Sequence, residues 1–134
     1  MESALKIAVV AVIVLMLLFY LSPRERQQSN DSAAVANLRT INTAEATYLS
    51  SSGRYGSIAD LIAAGLLDDA FSGIKAGYKY SIALDAKSSV YTAEATPSSA
   101  KTGSYGYYTV PDAVVRYSTD ASLAPAGKSG RHVQ

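Results

Sequence analysis

The fold of this chain depends first on residues 1–26, MESALKIAVVAVIVLMLLFYLSPRER. Every residue of 7–21 is apolar or tyrosine, and Lys6 is the one charge in 4–21. As an α-helix, 4–21 would be about 27 Å long, close to the ~30 Å hydrocarbon core of a bilayer. A helix that is apolar on every face needs lipid or protein all around it. The sequence therefore predicts that residues 1–22 form a transmembrane helix or the core of a filament.

Two other interpretations of this stretch are less favoured. A cleaved signal peptide needs a positive start and a small-x-small site soon after the apolar run. Glu2 offsets Lys6, and LSPRERQQ contains no such site. A helix buried inside a globular domain is disfavoured because the remaining chain is too short to surround it. Anchoring and assembly are assigned to this helix, to interfacial aromatics at its end, and to the proline that ends or kinks it: Ile7, Val10, Val14, Leu17, Phe19, Tyr20 and Pro23.

Composition argues against several functions. The formal net charge is +1 and the basic residues are scattered, so nothing indicates nucleic-acid binding by the head. The absence of cysteine excludes disulfides and thiolate chemistry. The single histidine, His132, has no fixed acid beside it in the sequence, so we predict no catalytic residues, no cofactor and no enzymatic activity. The adjacent Asp68 and Asp69 are weak candidates for a calcium site, and we predict no metal.

The remaining chain predicts an α+β domain. Residues 23–31 are a polar connection, either an exposed continuation of the helix or a linker. An amphipathic helix follows, with Ala34, Leu38, Ile41, Tyr48 and Leu49 near one face and Arg39, Asn42 and Thr43 off it, and Gly53 at its end. A short second helix is indicated by a Ser57–Asp60 capping box and by Gly65 after its end.

The second half of the chain predicts about four antiparallel strands. YKYSIALD alternates apolar and polar residues, VYTAEA is its hairpin partner, and YGYYTVPDAVVRYS forms a second hairpin with its turn at Pro111-Asp112. Residues 32–134 are thus expected to form one globular domain, with a flexible tail from about 118. The strand tyrosines are interpreted mainly as packing residues, with a surface cluster for subunit or ligand contact as the alternative: Tyr78, Tyr80, Tyr91, Tyr105, Tyr107, Tyr108 and Tyr117.

This order of elements resembles type IV pilins and pseudopilins. The similarity is strongest in SAAVANLRTINTAEATYLSSSGRYGSIADL and extends to AGYKYSIAL and YGYYTVPDAVVRYS. The resemblance implies a long hydrophobic helix that runs into an amphipathic helix packed on the sheet. It also implies a single-pass protein of the bacterial inner membrane, with its N-terminus cytoplasmic and its head exported, and an extracellular filament once assembled. Its partners would be the lipid bilayer, copies of itself, other pilins, and the pilus or secretion assembly machinery.

One part of the family pattern is not found in this sequence. Pilins carry a basic leader that ends in glycine, and a few apolar residues and a glutamate follow it. The first glycine of this chain is Gly53. By resemblance alone, Glu2 corresponds to that glutamate and would pair with the amino terminus of a neighbouring subunit. Two functions remain open: a structural subunit of a type IV pilus-like or type II secretion pseudopilus-like filament, or an unprocessed, membrane-anchored binding module that does not polymerise.

Overall fold

The structure is a computed structural model that describes residues 2–118 and 131–133, with side chains described for all of these except 18–24. It is an α+β arrangement in which one very long helix precedes a single antiparallel sheet. Phe19, Tyr20 and Pro23 therefore have side chains outside the described set, and most of the predicted tail, 119–130, lies outside the described residues.

The first helix, α1, runs without interruption over Glu2–Ser52. Proline lacks a backbone donor and usually ends or kinks a helix, but the helix continues through Pro23, so it does not end there. The polar connection 23–31 is therefore a continuation of the helix rather than a linker, and its residues 25–31 are exposed or half-buried. The helix ends as predicted at Gly53, whose φ of 71° is the left-handed conformation that glycine adopts without strain.

The predicted membrane-spanning helix needs correction. Within the described residues, no helix combines the length and the apolar character needed to cross a membrane. The prediction of a hydrophobic membrane-spanning helix is wrong, and with it the predicted location as a single-pass inner-membrane protein with an exported head.

Two short helices connect α1 to the sheet. α2 covers Ile58–Ala63 and begins with the predicted capping box, in which the Ser57 hydroxyl accepts from the Asp60 N–H and the Asp60 carboxylate accepts from the Ser57 N–H. Gly65 follows with a φ of 74°, also as predicted. A 3₁₀ helix at Asp69–Ser72 then places Phe71 in the core.

The sheet contains six strands in sequence order rather than about four, all antiparallel. The four predicted strands are observed, and two short edge strands are added to them. The strands are β1 Ile74–Lys75, β2 Tyr78–Leu84, β3 Tyr91–Pro97, β4 Tyr107–Thr109, β5 Arg116–Tyr117 and β6 Arg131–His132. The last strand pairs with β5, so the end of the predicted flexible tail is part of the sheet.

The core lies between α1 and one face of the sheet. Ala34, Leu38 and Ile41 of α1 are fully buried, and Tyr48 packs partly against them, as the helical pattern predicted. Leu49 is 36% exposed instead, and Asn42, which was placed off this face, is 9% exposed. The buried face of α1 therefore includes the polar residue Asn42, which a search for apolar residues at helical spacing does not find.

Candidate functional site

The first 16 described residues of α1 form an exposed arm, defined here as Glu2–Leu17. Glu2 is exposed, and ten large apolar side chains of the arm are 48–70% exposed. They are spread over positions 5–17 with at most one other residue between neighbours, and they therefore point to every side of the helix. They are Leu5, Ile7, Val9, Val10, Val12, Ile13, Val14, Leu15, Met16 and Leu17. Among the described residues, the predicted contact positions Ile7, Val10, Val14 and Leu17 thus lie on one uncovered apolar surface.

Polar side chains of α1 attach the head to the helix from Gln27 onwards. Gln27 Nε2 donates to the backbone oxygen of Ala100 at 3.1 Å, and Asn30 Nδ2 donates to that of Thr102 at 2.8 Å. Asp31 Oδ1 accepts from the Ser104 N–H at 2.8 Å. Residues three and four apart share one helix face, so this face holds the β3–β4 loop against α1.

Tyr78 extends this attachment into the core. Its fully buried ring ends in a hydroxyl that lies 2.6 Å from Asp31 Oδ1 and 2.8 Å from the backbone oxygen of Tyr105. Burial, together with the hydrogen bond and negative charge of Asp31, raises the pKa of the Tyr78 hydroxyl well above its usual value. The hydroxyl therefore stays protonated and links α1, β2 and the β3–β4 loop.

A second polar cluster is buried between α1 and the sheet. The Tyr91 hydroxyl donates to Asn42 Oδ1 at 2.7 Å, and Asn42 Nδ2 lies 3.0 Å from Thr109 Oγ1. Thr109 Oγ1 is also 3.1 Å from the backbone oxygen of Val114. Because unpaired polar groups are costly in a core, this network favours one register of α1 against β3 and β4.

Glu45 is the most unusual member of this region. Its side chain is fully buried, Oε2 accepts from the Gly56 N–H at 3.0 Å, and Oε1 has no partner among the described residues. Burial raises the pKa of Glu45 from 4.5 to about 7; the Gly56 hydrogen bond opposes this rise, and the charge of Asp60 adds to it. Sequence analysis missed both Asn42 and Glu45. The sequence did contain a signal: Asn42 follows Leu38 by four residues and Glu45 follows Ile41 by four. This spacing places each polar residue on the same helix face as a buried apolar one.

Four of the tyrosines form a connected aromatic cluster: Tyr78, Tyr105, Tyr107 and Tyr117. Five of the seven strand tyrosines are buried, so the packing interpretation is confirmed for them: Tyr78, Tyr80, Tyr91, Tyr107 and Tyr108. The half-buried Tyr105 and Tyr117 meet Tyr107 in a triangle of rings. This triangle borders a cleft of about 360 Å³ that His132 and Val133 also line.

The weak metal candidates have local structural roles instead. Asp68 caps the 3₁₀ helix by accepting from the Ala70 N–H at 3.0 Å, and it also pairs with Lys75. Asp69 lies exposed in the first turn of that helix. In the part of the chain that the structure describes, no three His, Cys, Asp or Glu side chains are grouped closely enough to hold a metal ion.

Comparison with known proteins identifies no related family or curated protein: no protein-family model matches the chain, and no curated protein matches it significantly. The function is therefore argued from the arm, its attachment and the head.

Proposed function

We propose that this chain is a non-enzymatic structural subunit of a pilin-like filament, related to type IV pili or type II secretion pseudopili. The observation that supports this most is the exposed apolar arm. Exposed apolar surfaces of this extent are typical of sites where proteins interact. Copies of the chain, other pilin-like subunits and assembly machinery are the partners we propose.

The shape of the apolar surface favours many neighbours over one. A dimer covers one side of a helix, whereas Val9, Val10, Val12 and Ile13 are each at least 51% exposed and point in different directions. Covering all of them requires several arms around each arm, which a filament provides. A residue such as Glu2 would then select the register, since an unpaired carboxylate among packed apolar helices is costly.

The alternative function is a binding module that does not polymerise. The tyrosine cleft supports this alternative because it is built into the head, away from the arm. Crosslinking distinguishes the two functions, and the absence of native cysteine makes it simple. The variant Ile7→Cys/Val14→Cys carries two thiols on the arm, and Lys79→Cys/Ala83→Cys carries two on the exposed side of β2.

Under mild oxidation in expressing cells, the arm variant is expected to give a ladder of disulfide-linked multimers, because each subunit offers two contact points. The β2 variant is expected to remain largely monomeric. Monomers alone from the arm variant, or equal ladders from both, would refute the filament proposal and favour the binding module.

A charge substitution tests the apolar contact itself. Val10→Asp added to the arm cysteine variant is expected to reduce the crosslinked multimers at least about tenfold, since burying an unpaired carboxylate costs several kcal/mol. Lys79→Asp in the same background is the control, because it changes charge on the exposed side of β2. An undiminished ladder with Val10→Asp would show that the arm does not form the contact.

A further inference from the structure

The head contains a second site that the filament proposal does not use. We propose that the tyrosine cleft binds a neutral carbohydrate, a hexose or a hexose disaccharide, independently of assembly. The cleft is lined by Tyr105, Tyr107, Tyr117, His132 and Val133. An adjoining cleft of about 280 Å³ shares Tyr107 and Val133 with it. Together they fall within the size range of small-molecule sites, and both are open to solvent.

The three rings provide the apolar part of the site. The centroids of Tyr105 and Tyr117 are 5.0 Å apart, and each lies 6.3 Å from the centroid of Tyr107. The planes are inclined to one another by 51–83°, so the rings form a corner rather than a flat stack. A corner of this kind offers ring surface to a compact molecule that has its own apolar face, as the C–H face of a pyranose does.

The hydroxyl groups distinguish this site from ordinary aromatic packing. Tyr107 is only 5% exposed, but its hydroxyl oxygen still reaches the solvent, and it makes no hydrogen bond within the described part of the chain. Burial, the charge of Asp31 and the neighbouring Tyr105 and Tyr117 raise the pKa of Tyr107, so its hydroxyl remains a donor. A ligand in the cleft can therefore replace water as the hydrogen-bond partner of this hydroxyl.

The charges around the cleft favour a neutral ligand. Asp31 and Arg39, which carry opposite charges, both line the adjoining cleft. The cleft therefore attracts neither anions nor cations strongly. A quaternary ammonium ion would find the rings, but it offers neither donors nor acceptors to the tyrosine hydroxyls. Sugar hydroxyls both donate and accept hydrogen bonds, so one of them can bond to the Tyr107 hydroxyl while the carbons of the sugar ring contact the aromatic faces.

Tyrosine fluorescence of the full chain tests this inference directly, because the chain has ten tyrosines and no tryptophan. Cellobiose, lactose and N,N′-diacetylchitobiose are the probes, with choline chloride as the cationic comparison. At least one disaccharide is expected to give a saturable change with a Kd near about 1 mM. Tyr107→Phe, which keeps the ring and removes the hydroxyl, is expected to weaken that binding about tenfold.

Tyr55→Phe is the matched control, because Tyr55 packs on Tyr91 outside the cleft and the substitution also removes one hydroxyl. It is expected to leave the Kd unchanged. Three results would overturn the inference: no saturable change with any of the disaccharides up to about 20 mM, equal weakening by both substitutions, or saturation with choline alone. Since Tyr107→Phe leaves the arm intact, filament crosslinking should be unaffected whichever result is obtained.

Discussion

Gly103→Ala is expected to lower the free energy of unfolding of the head by about 3 kcal/mol, since it forces a side chain into a filled core. Gly103 is buried against the fully buried ring of Tyr78. A Cβ at residue 103 would overlap the Tyr78 hydroxyl and lie 2.6 Å from Cε2 of that ring. The ring cannot retreat easily, because its hydroxyl is bonded to Asp31 and to the backbone of Tyr105.

Urea denaturation of the full chain, followed by circular dichroism, measures this change. Ser104→Ala is the matched control at the next position, because the Ser104 contact to Asp31 uses its backbone N–H and survives the substitution. It is expected to change stability by less than about 0.5 kcal/mol. In a Tyr78→Leu background, Gly103→Ala should cost much less, because the clashing ring is gone. Equal midpoints for Gly103→Ala and Ser104→Ala would contradict the close approach.

Glu45 is expected to make the head less stable as the pH rises through neutrality. The carboxyl has a pKa of about 7 when folded, against 4.5 in its ordinary state. Below about pH 4.5 it is protonated in both states, and above that value the unfolded chain loses its proton first. The stabilisation is therefore fully present at low pH and is lost as pH rises through the folded pKa, by about 2.5 kcal/mol between about pH 5 and about pH 8.

Three carboxyls with lowered pKa values do not produce a loss of stability in this pH range. The pKa of Asp60 is lowered by the Ser57 hydrogen bonds, that of Asp68 by Lys75, and that of Asp85 by Ser89. Groups with lowered pKa contribute stability that is present above their unfolded pKa and is lost only in more acidic solution. Their contributions are nearly constant between about pH 5 and about pH 8.

Glu45→Gln isolates the titration. Glutamine has nearly the same shape, and its side-chain oxygen can still accept from the Gly56 N–H, but it does not ionise in this range. The difference in melting temperature between the two proteins should therefore vary with pH, with Glu45→Gln showing the smaller loss on going to pH 8. Parallel curves for the two proteins would show that Glu45 does not titrate within the fold.

Local signals in the sequence were sufficient for the elements with strong periodicity or caps. The alternation in 78–84 corresponds to β2, and the Ser57–Asp60 spacing corresponds to the start of α2. β1 and β6 were missed because a two-residue strand has no periodicity, and each forms only by pairing with a neighbour. Leu49 was misplaced because an apolar residue on the helical stripe is buried only where the sheet extends far enough to cover it.

The residues of the candidate sites also differ in whether a local pattern in the sequence reveals them. The apolar run that forms the arm was visible in the sequence, because successive apolar residues form a one-dimensional pattern, but the membrane-spanning helix predicted from it was wrong. Gln27, Asn30 and Asp31 appeared only as a polar connection, since two of the loop residues they bind, Ala100 and Thr102, lie more than 70 residues away. The unpaired oxygen of Glu45 and the free hydroxyl of Tyr107 likewise depend on which atoms the fold brings near them.

By itself, the sequence determined a helical first half, a β-rich second half, and an apolar run near the start of the chain, because hydrophobic pattern and capping are local properties of the chain. Only the tertiary structure decided that Asn42 and Glu45 face the core and that three tyrosines form a cleft. These outcomes depend on contacts between distant segments. The free energy of such contacts is set by burial and hydrogen bonding in the folded state, which no local pattern contains.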